Sequence, residues 1–161
     1  MVLFIQQTLL TTSYYIASND WVNISFRLCF ALLMGGMIGL ERQRRDKPAG
    51  LRTHMLVTLG SAIFTIIAIQ IGGKEINPDA LSRVIQGIAA GVGFLGTGEI
   101  LRSSSQQPKL AEIHGLTSAA AIWVSASLGI ASGCGLWQLG LIGTVLTVVV
   151  LNLVKKVEKS H

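Results

Sequence analysis

The residues of this chain that could do chemistry are few, and they gather at the ends of apolar segments. Glu41 and Arg42 open a charge run, Glu41-Arg42-Gln43-Arg44-Arg45-Asp46-Lys47. Pro48-Ala49-Gly50 then forces a turn, and Arg52 and His54 follow at once, so the returning chain carries them toward Glu41. Glu99 and Arg102 stand three residues apart at the end of a later apolar segment, and His114 heads the next. The expected site is therefore one polar cluster of Glu41, Arg42, Arg52, His54, Glu99 and Arg102. Three chemistries are open to it. Glu99 and Arg102, on one helical face, suit a local ion pair. Two histidines at one depth serve either as interface anchors or as a pH-sensitive pair. Glu41 and Glu99 offer carboxylates of the kind magnesium takes beside its waters, although neighbouring arginines compete with a metal. The charge run also has a plainer use, which is to fix topology and touch lipid phosphates. No residue is assigned a catalytic role, and whether any metal is held stays open.

The elements that must position these residues are membrane helices. Trp21–Leu40, Leu51–Gly72, Leu81–Leu101, Gly115–Gly133 and Gly135–Val154 are five apolar stretches. About 20 residues at ~1.5 Å each cross a hydrocarbon core of ~30 Å. Backbone amides in lipid must bond within their own segment, which selects helices. A barrel would need short strands of alternating polarity, and the sequence has none. Half of the 161 residues are hydrophobic, 13% are charged and 18 are glycine, a balance suited to closely packed membrane helices rather than to a soluble domain. The expected fold is all-α, a five-helix membrane bundle over 21–154. Residues 1–20 form an interfacial segment with Tyr14, Tyr15 and Trp21 as an aromatic belt, and 155–161 a basic tail.

Charge sets the orientation. Ten of the thirteen Lys and Arg residues fall on one face: Arg42, Arg44, Arg45, Lys47, Arg52, Arg102, Lys109, Lys155, Lys156 and Lys159. The positive-inside rule puts that face and the C-terminus in the cytoplasm and the N-terminus outside. The net charge of +5 thus reflects orientation and lipid headgroups, not nucleic acid. Residues 1–19 lack the Lys or Arg of a signal peptide's charged start. Cys29 and Cys134 match no metal or redox spacing.

Arg27 and Arg83 are the costly charges on the outer side, at ~2.5–3.5 kcal/mol each on insertion scales. They either snorkel to the surface or share Glu75 or Asp79. Gly91-Val92-Gly93-Phe94-Leu95-Gly96 satisfies the dinucleotide pattern Gly-x-Gly-x-x-Gly. It sits within an apolar span, without the preceding strand that the pattern requires. Gly87, Gly91, Gly93 and Gly96 read instead as a helix-packing face, used within the chain, in a homodimer or against a partner helix.

These residues also carry a family likeness. Gly39-Leu40-Glu41-Arg42-Gln43 with Pro48-Ala49-Gly50-Leu51-Arg52-Thr53-His54 resembles the signature of the MgtC/SapB family of bacterial membrane proteins. Gly91 to Gly98 resembles its glycine-rich third helix, and Gly115 to Val124 its fourth. The likeness covers roughly residues 21 to 154. It implies a multi-pass protein of the bacterial inner membrane, without cofactor, tied to magnesium limitation and, in pathogens, to survival inside host cells. It further implies action on a membrane partner such as the proton-translocating ATP synthase, without carriage of magnesium. Two departures stand out. Many relatives carry a soluble ACT-like domain after the last span, where this chain ends at His161, and Glu99 stands where relatives usually have an apolar residue.

The functional expectation is a non-enzymatic membrane protein for adaptation to low magnesium. The alternative is a divalent-cation or proton transporter or channel, favoured by three intramembrane charges and opposed by the lack of an inverted repeat or acidic ring. An intramembrane enzyme needs a nucleophile beside a base, and the sequence sets no base next to Ser61, Ser118 or Ser125.

Overall fold

The structure, a computed structural model, describes residues 16, 20–72, 78–105 and 115–158, with side chains for all of these except 102–105 and 153–158. Among them there are five helices and no strand: α1 Trp21–Gln43, α2 Leu51–Ile71, α3 Pro78–Ser105, α4 Leu116–Gly133 and α5 Trp137–Glu158. Each expected span falls on one helix. Four stretches are long and apolar enough to cross a membrane: α1, α2, Pro78–Leu101 of α3, and α4. The described apolar part of α5, Trp137–Asn152, is shorter, and the helix itself runs on to Glu158, through the start of the expected tail. The expected interfacial segment lies outside the described residues, save for buried Ile16 and for Asp20.

Local chemistry sets the helix ends. The Asp20 side chain caps α1 by accepting from the Asn23 amide at 3.1 Å. At the far end Asp46 takes a positive φ of 51°, and Pro48 follows without a donor. The Gln43 side chain accepts from the first amide of α2, Leu51 N, at 3.2 Å. Pro78 begins α3, where its fixed φ and missing N–H cost nothing. α4 ends in a Schellman turn: Leu136 N donates to Ala131 O at 2.8 Å and Gly135 N to Ser132 O at 2.9 Å. Gly135 holds the left-handed position of that turn, with φ 75°.

The burial pattern is that of a protein in lipid. Exposed positions include Val22, Phe26, Leu33, Leu56, Phe64, Phe94, Trp123 and Leu146. Buried positions include Arg27, Arg42, His54, Thr58, Thr65, Ser125, Ser132 and Thr144. Water would invert that arrangement; a hydrocarbon solvent does not. α4 packs on all four other helices, and α2 lies tightly against both α1 and α4. Two apolar clusters flank α4, one of Ile88, Val92, Ile122 and Ala126, the other of Met34, Ile38 and Leu128.

Glycines let the backbones meet, but not the expected ones. A β-carbon added at Gly39 would lie 2.6 Å from Leu51 Cα, and one at Gly35 2.7 Å from His54 O. One at Gly129 would sit 2.8 Å from Ser61 Cβ, and one at Gly133 2.7 Å from Thr65 Cβ. At Gly87, Gly91 and Gly93 an added β-carbon meets nothing within 4 Å. Of the expected face only Gly96 packs, 3.3 Å from Ala119 Cβ. The reason is the position of α3, which leans on α4 and α2 from one side and leaves the Gly87–Gly93 stretch facing outward.

Candidate functional site

At the end of the bundle where α1 stops, charged side chains from one helix reach two others. Glu41, Arg42 and Arg45 lie on the last turn of α1 and the turn after it. Glu41 Oε1 forms an ion pair with Arg45, and its Oε2 lies 4.0 Å from Arg42 Nη1. The Arg42 Nη2 donates to the Ser118 hydroxyl on α4 at 2.7 Å. Arg45 Nη2 donates to Asn152 Oδ1 on α5 at 2.5 Å. The charge run thus ties α1 to both later helices. Arg42 is only 3% exposed, so it is a buried cation held by a carboxylate and a hydroxyl. The Glu99 carboxylate on α3, also buried, adds a further attraction on Arg42.

His54 lies one turn into α2, fully buried. Its Nδ1 stands 2.8 Å from Ser125 Oγ on α4, while Ser125 Oγ donates to Ala121 O at 3.0 Å. The hydroxyl proton is therefore committed to a carbonyl, and the imidazole is the donor to Ser125, a tautomer assigned from the network. The base that the sequence did not set beside Ser125 is supplied across the fold. The pair is nonetheless a helix-to-helix tie: both residues are fully buried, and Gly129, one turn on, presses on Thr58 and Ser61.

Hydroxyls continue the polar line along the α2–α4 seam. Thr58, Ser61 and Thr65 follow His54 at helical spacing, and Ser118, Ser125 and Ser132 recur every seventh residue on α4. Thr58 donates to Met55 O at 2.9 Å and Thr65 to Ser61 O at 2.8 Å, which satisfies the donors locally. At the other end Ser132 donates to Arg27 O at 2.6 Å. Arg27 in turn gives Nε to Asn23 Oδ1 at 2.9 Å and Nη1 to Gly133 O at 2.7 Å. Arg27 is 4% exposed, so it does not snorkel: its guanidinium clamps the α4–α5 turn.

Several buried polar atoms at the Arg42 end have no hydrogen-bond partner among the described residues: both Glu41 oxygens, Arg42 Nε and His54 Nε2. For Glu41 the arginines supply charge contact without hydrogen-bond geometry.

The structure brings Glu41, Arg42, His54 and Glu99 to one end of the bundle. It separates Arg52 from them. That side chain is exposed and lines a different cavity, of about 540 Å³, with Gln43, Lys47 and Thr53, and the expected Glu41–Arg52 contact is replaced by Glu41–Arg45. The physical reason is helical phase: Arg45, four residues on, continues the face of Glu41, whereas Arg52 points away from the seam that His54 faces. The side chain of Arg102, and His114 and Glu75, lie outside the described residues. Arg83 is exposed on α3. Sequence reasoning missed Arg45, Ser118, Ser125 and Asn152 as cluster members. The seven-residue spacing of Ser118, Ser125 and Ser132 was the available signal for α4.

The model of the MgtC family matches residues 28–160. The chain belongs to the MgtC family. Among MgtC-family relatives, SrpB of Synechococcus elongatus is 48% identical over 90% of this chain and 82% of its own length. YhiD of Escherichia coli is 42% identical over 78% of the chain, and MgtC of Salmonella typhimurium 37% identical over 74%. This chain spans 58% of YhiD and 47% of MgtC. No solved structure matches it. With four helices long enough to cross a bilayer, this MgtC-family chain is a multi-pass membrane protein.

Proposed function

We propose that this chain is a non-enzymatic protein of the bacterial inner membrane that adapts the cell to scarce magnesium, working through the Arg42 end of its bundle. The carrying observation is the buried set of Glu41, Arg42 and His54, in which Arg42 Nε and His54 Nε2 have no hydrogen-bond partner among the described residues. A fold does not keep such atoms for stability, since each costs about 1–3 kcal/mol. Their presence supports a role for this end beyond the ties it makes between helices. The family supports a magnesium-related role, and one relative bears the name "Putative magnesium transporter YhiD". The positive-inside rule places the Arg42 end in the cytoplasm, with exposed Arg44, Lys47 and Arg52 beside it for anionic lipid or a membrane-protein partner. By family likeness that partner is an assembly such as ATP synthase.

The name of YhiD favours a second reading, transport of a divalent cation or proton. Glu41 and Glu99 offer oxygens at one end. Three features weigh against it. Arg42 and Arg45 occupy the Glu41 carboxylate. Among the described residues no group of three or more His, Cys, Asp or Glu is placed to hold a metal ion. The α2–α4 seam is closed by backbone contact at Gly129 and Gly133.

The test is complementation. A strain deleted for this gene and grown at low magnesium should be rescued by the wild type but not by Glu41→Gln or Arg52→Ala, each checked for membrane levels. Arg52 is the sharper case, because an exposed side chain affects growth through what it contacts outside the chain. Full rescue by both variants would remove the Arg42 end as the working surface.

A further inference from the structure

The outward Gly87–Gly91 stretch of α3 is the floor of a groove. Between α2 and α3 lies an open cavity of about 630 Å³. Its walls are mostly apolar or small, with Leu56 and Phe64 from α2 and Val84, Gly87, Gly91 and Leu95 from α3 among them. Among the described residues its single charged lining residue is Arg83, exposed at the start of α3 and four positions before Gly87, on the same helical face.

We infer that this groove binds one anionic phospholipid, with the phosphate at Arg83 and an acyl chain lying over Gly87 and Gly91. Length is the first argument. Arg83 to Leu95 covers ~18 Å of helix, close to one leaflet, which is half of a core of ~30 Å. A transmembrane partner helix would need about twice that run. Charge is the second. A two-fold dimer in a membrane has its axis along the bilayer normal, so equivalent residues meet at equal depth. Packing Gly87 on Gly87 would bring Arg83 against Arg83, one turn away. An anionic headgroup answers that cation, whereas a second copy repeats it. Room is the third: added β-carbons at Gly60, Gly87 and Gly91 meet nothing within 4 Å, so the floor is not held by contacts within the chain. Asp79, one turn nearer the helix start, lies outside the lining and disfavours any headgroup docked beyond Arg83.

Native mass spectrometry of the full chain, titrated with dioleoyl phosphatidylglycerol and with dioleoyl phosphatidylcholine, reads this directly. The wild type should retain phosphatidylglycerol preferentially. Arg83→Gln should lower that preference roughly fivefold while leaving phosphatidylcholine binding unchanged. Gly91→Leu should weaken both lipids by filling the groove, at an unchanged melting temperature in detergent. Equal retention of both lipids by the wild type would overturn the inference, as would Arg83→Gln behaving like wild type. A Gly91→Leu protein that binds lipid normally but loses a dimer would assign the groove to a second copy and overturn it too.

Discussion

His54 Nδ1 lies 2.8 Å from the Ser125 hydroxyl, a buried contact between residues 71 positions apart that joins α2 to α4 toward the Arg42 end of the bundle. Removing one partner strands the other. Ser125→Ala leaves the imidazole donor without an acceptor and should cost about 1–3 kcal/mol, the usual range for a buried polar group left unsatisfied. Unfolding in detergent, followed against added denaturing detergent, measures it. A Ser125→Ala protein as stable as wild type would mean that the contact carries no stability.

The glycines separate two kinds of surface. Gly129→Ala puts a carbon onto the Thr58 carbonyl and within 2.8 Å of Ser61 Cβ, so α2 and α4 must part. The expected loss is about 1–3 kcal/mol. Gly91→Ala points into open space and should not destabilise, with a gain of up to about 1 kcal/mol from helix propensity. Melting temperatures of the two variants check the contrast, and the reverse order would contradict the packing described.

Much of this was legible in the sequence. Span length and apolar content locate all five helices, because a lipid solvent imposes both. The charge run at Glu41 and the turn at Pro48 locate the candidate site. What the sequence left open was rotation. Gly87-x-x-x-Gly91 and Gly35-x-x-x-Gly39 carry the same pattern, yet only the second meets a neighbouring backbone. Spacing states that a helix has a small-residue face; it does not state which helix lies opposite. For the same reason Arg52 reads as a partner of Glu41 until α2 is rotated to point His54 into the seam, which turns Arg52 outward.

At the Arg27 end a single glycine carries two constraints. Gly135 has φ 75°, and an added β-carbon would sit 2.9 Å from the Arg27 guanidinium. Gly135→Ala should therefore cost at least about 1–2 kcal/mol from the left-handed backbone alone. Arg27→Lys, which loses the forked donor set to Asn23 and Gly133, should also lower the melting temperature. If both variants melt with the wild type, the guanidinium clamp is not holding the α4–α5 turn.

Orientation has its own test. With Cys29 and Cys134 replaced by Ala, single substitutions Lys74→Cys and Ser105→Cys report the two faces. An impermeant thiol reagent added to intact cells should label the first and not the second, because the sequence pattern assigns ten of the thirteen basic residues to the Ser105 face. Labelling of Ser105→Cys alone would turn the bundle over.

On the proposed function, the chain serves magnesium adaptation without conducting magnesium. A conduit for a strongly hydrated ion needs successive oxygen ligands or a wide wet pore, while the α2–α4 seam here is closed by glycine contacts and the Glu41 carboxylate on α1 is occupied by arginines. The direct measurement is magnesium uptake into liposomes containing the purified protein and a magnesium-sensitive dye, beside empty liposomes. Equal rates are expected in the two. Uptake that saturates with magnesium and vanishes in Glu99→Gln would contradict it and make the protein a transporter.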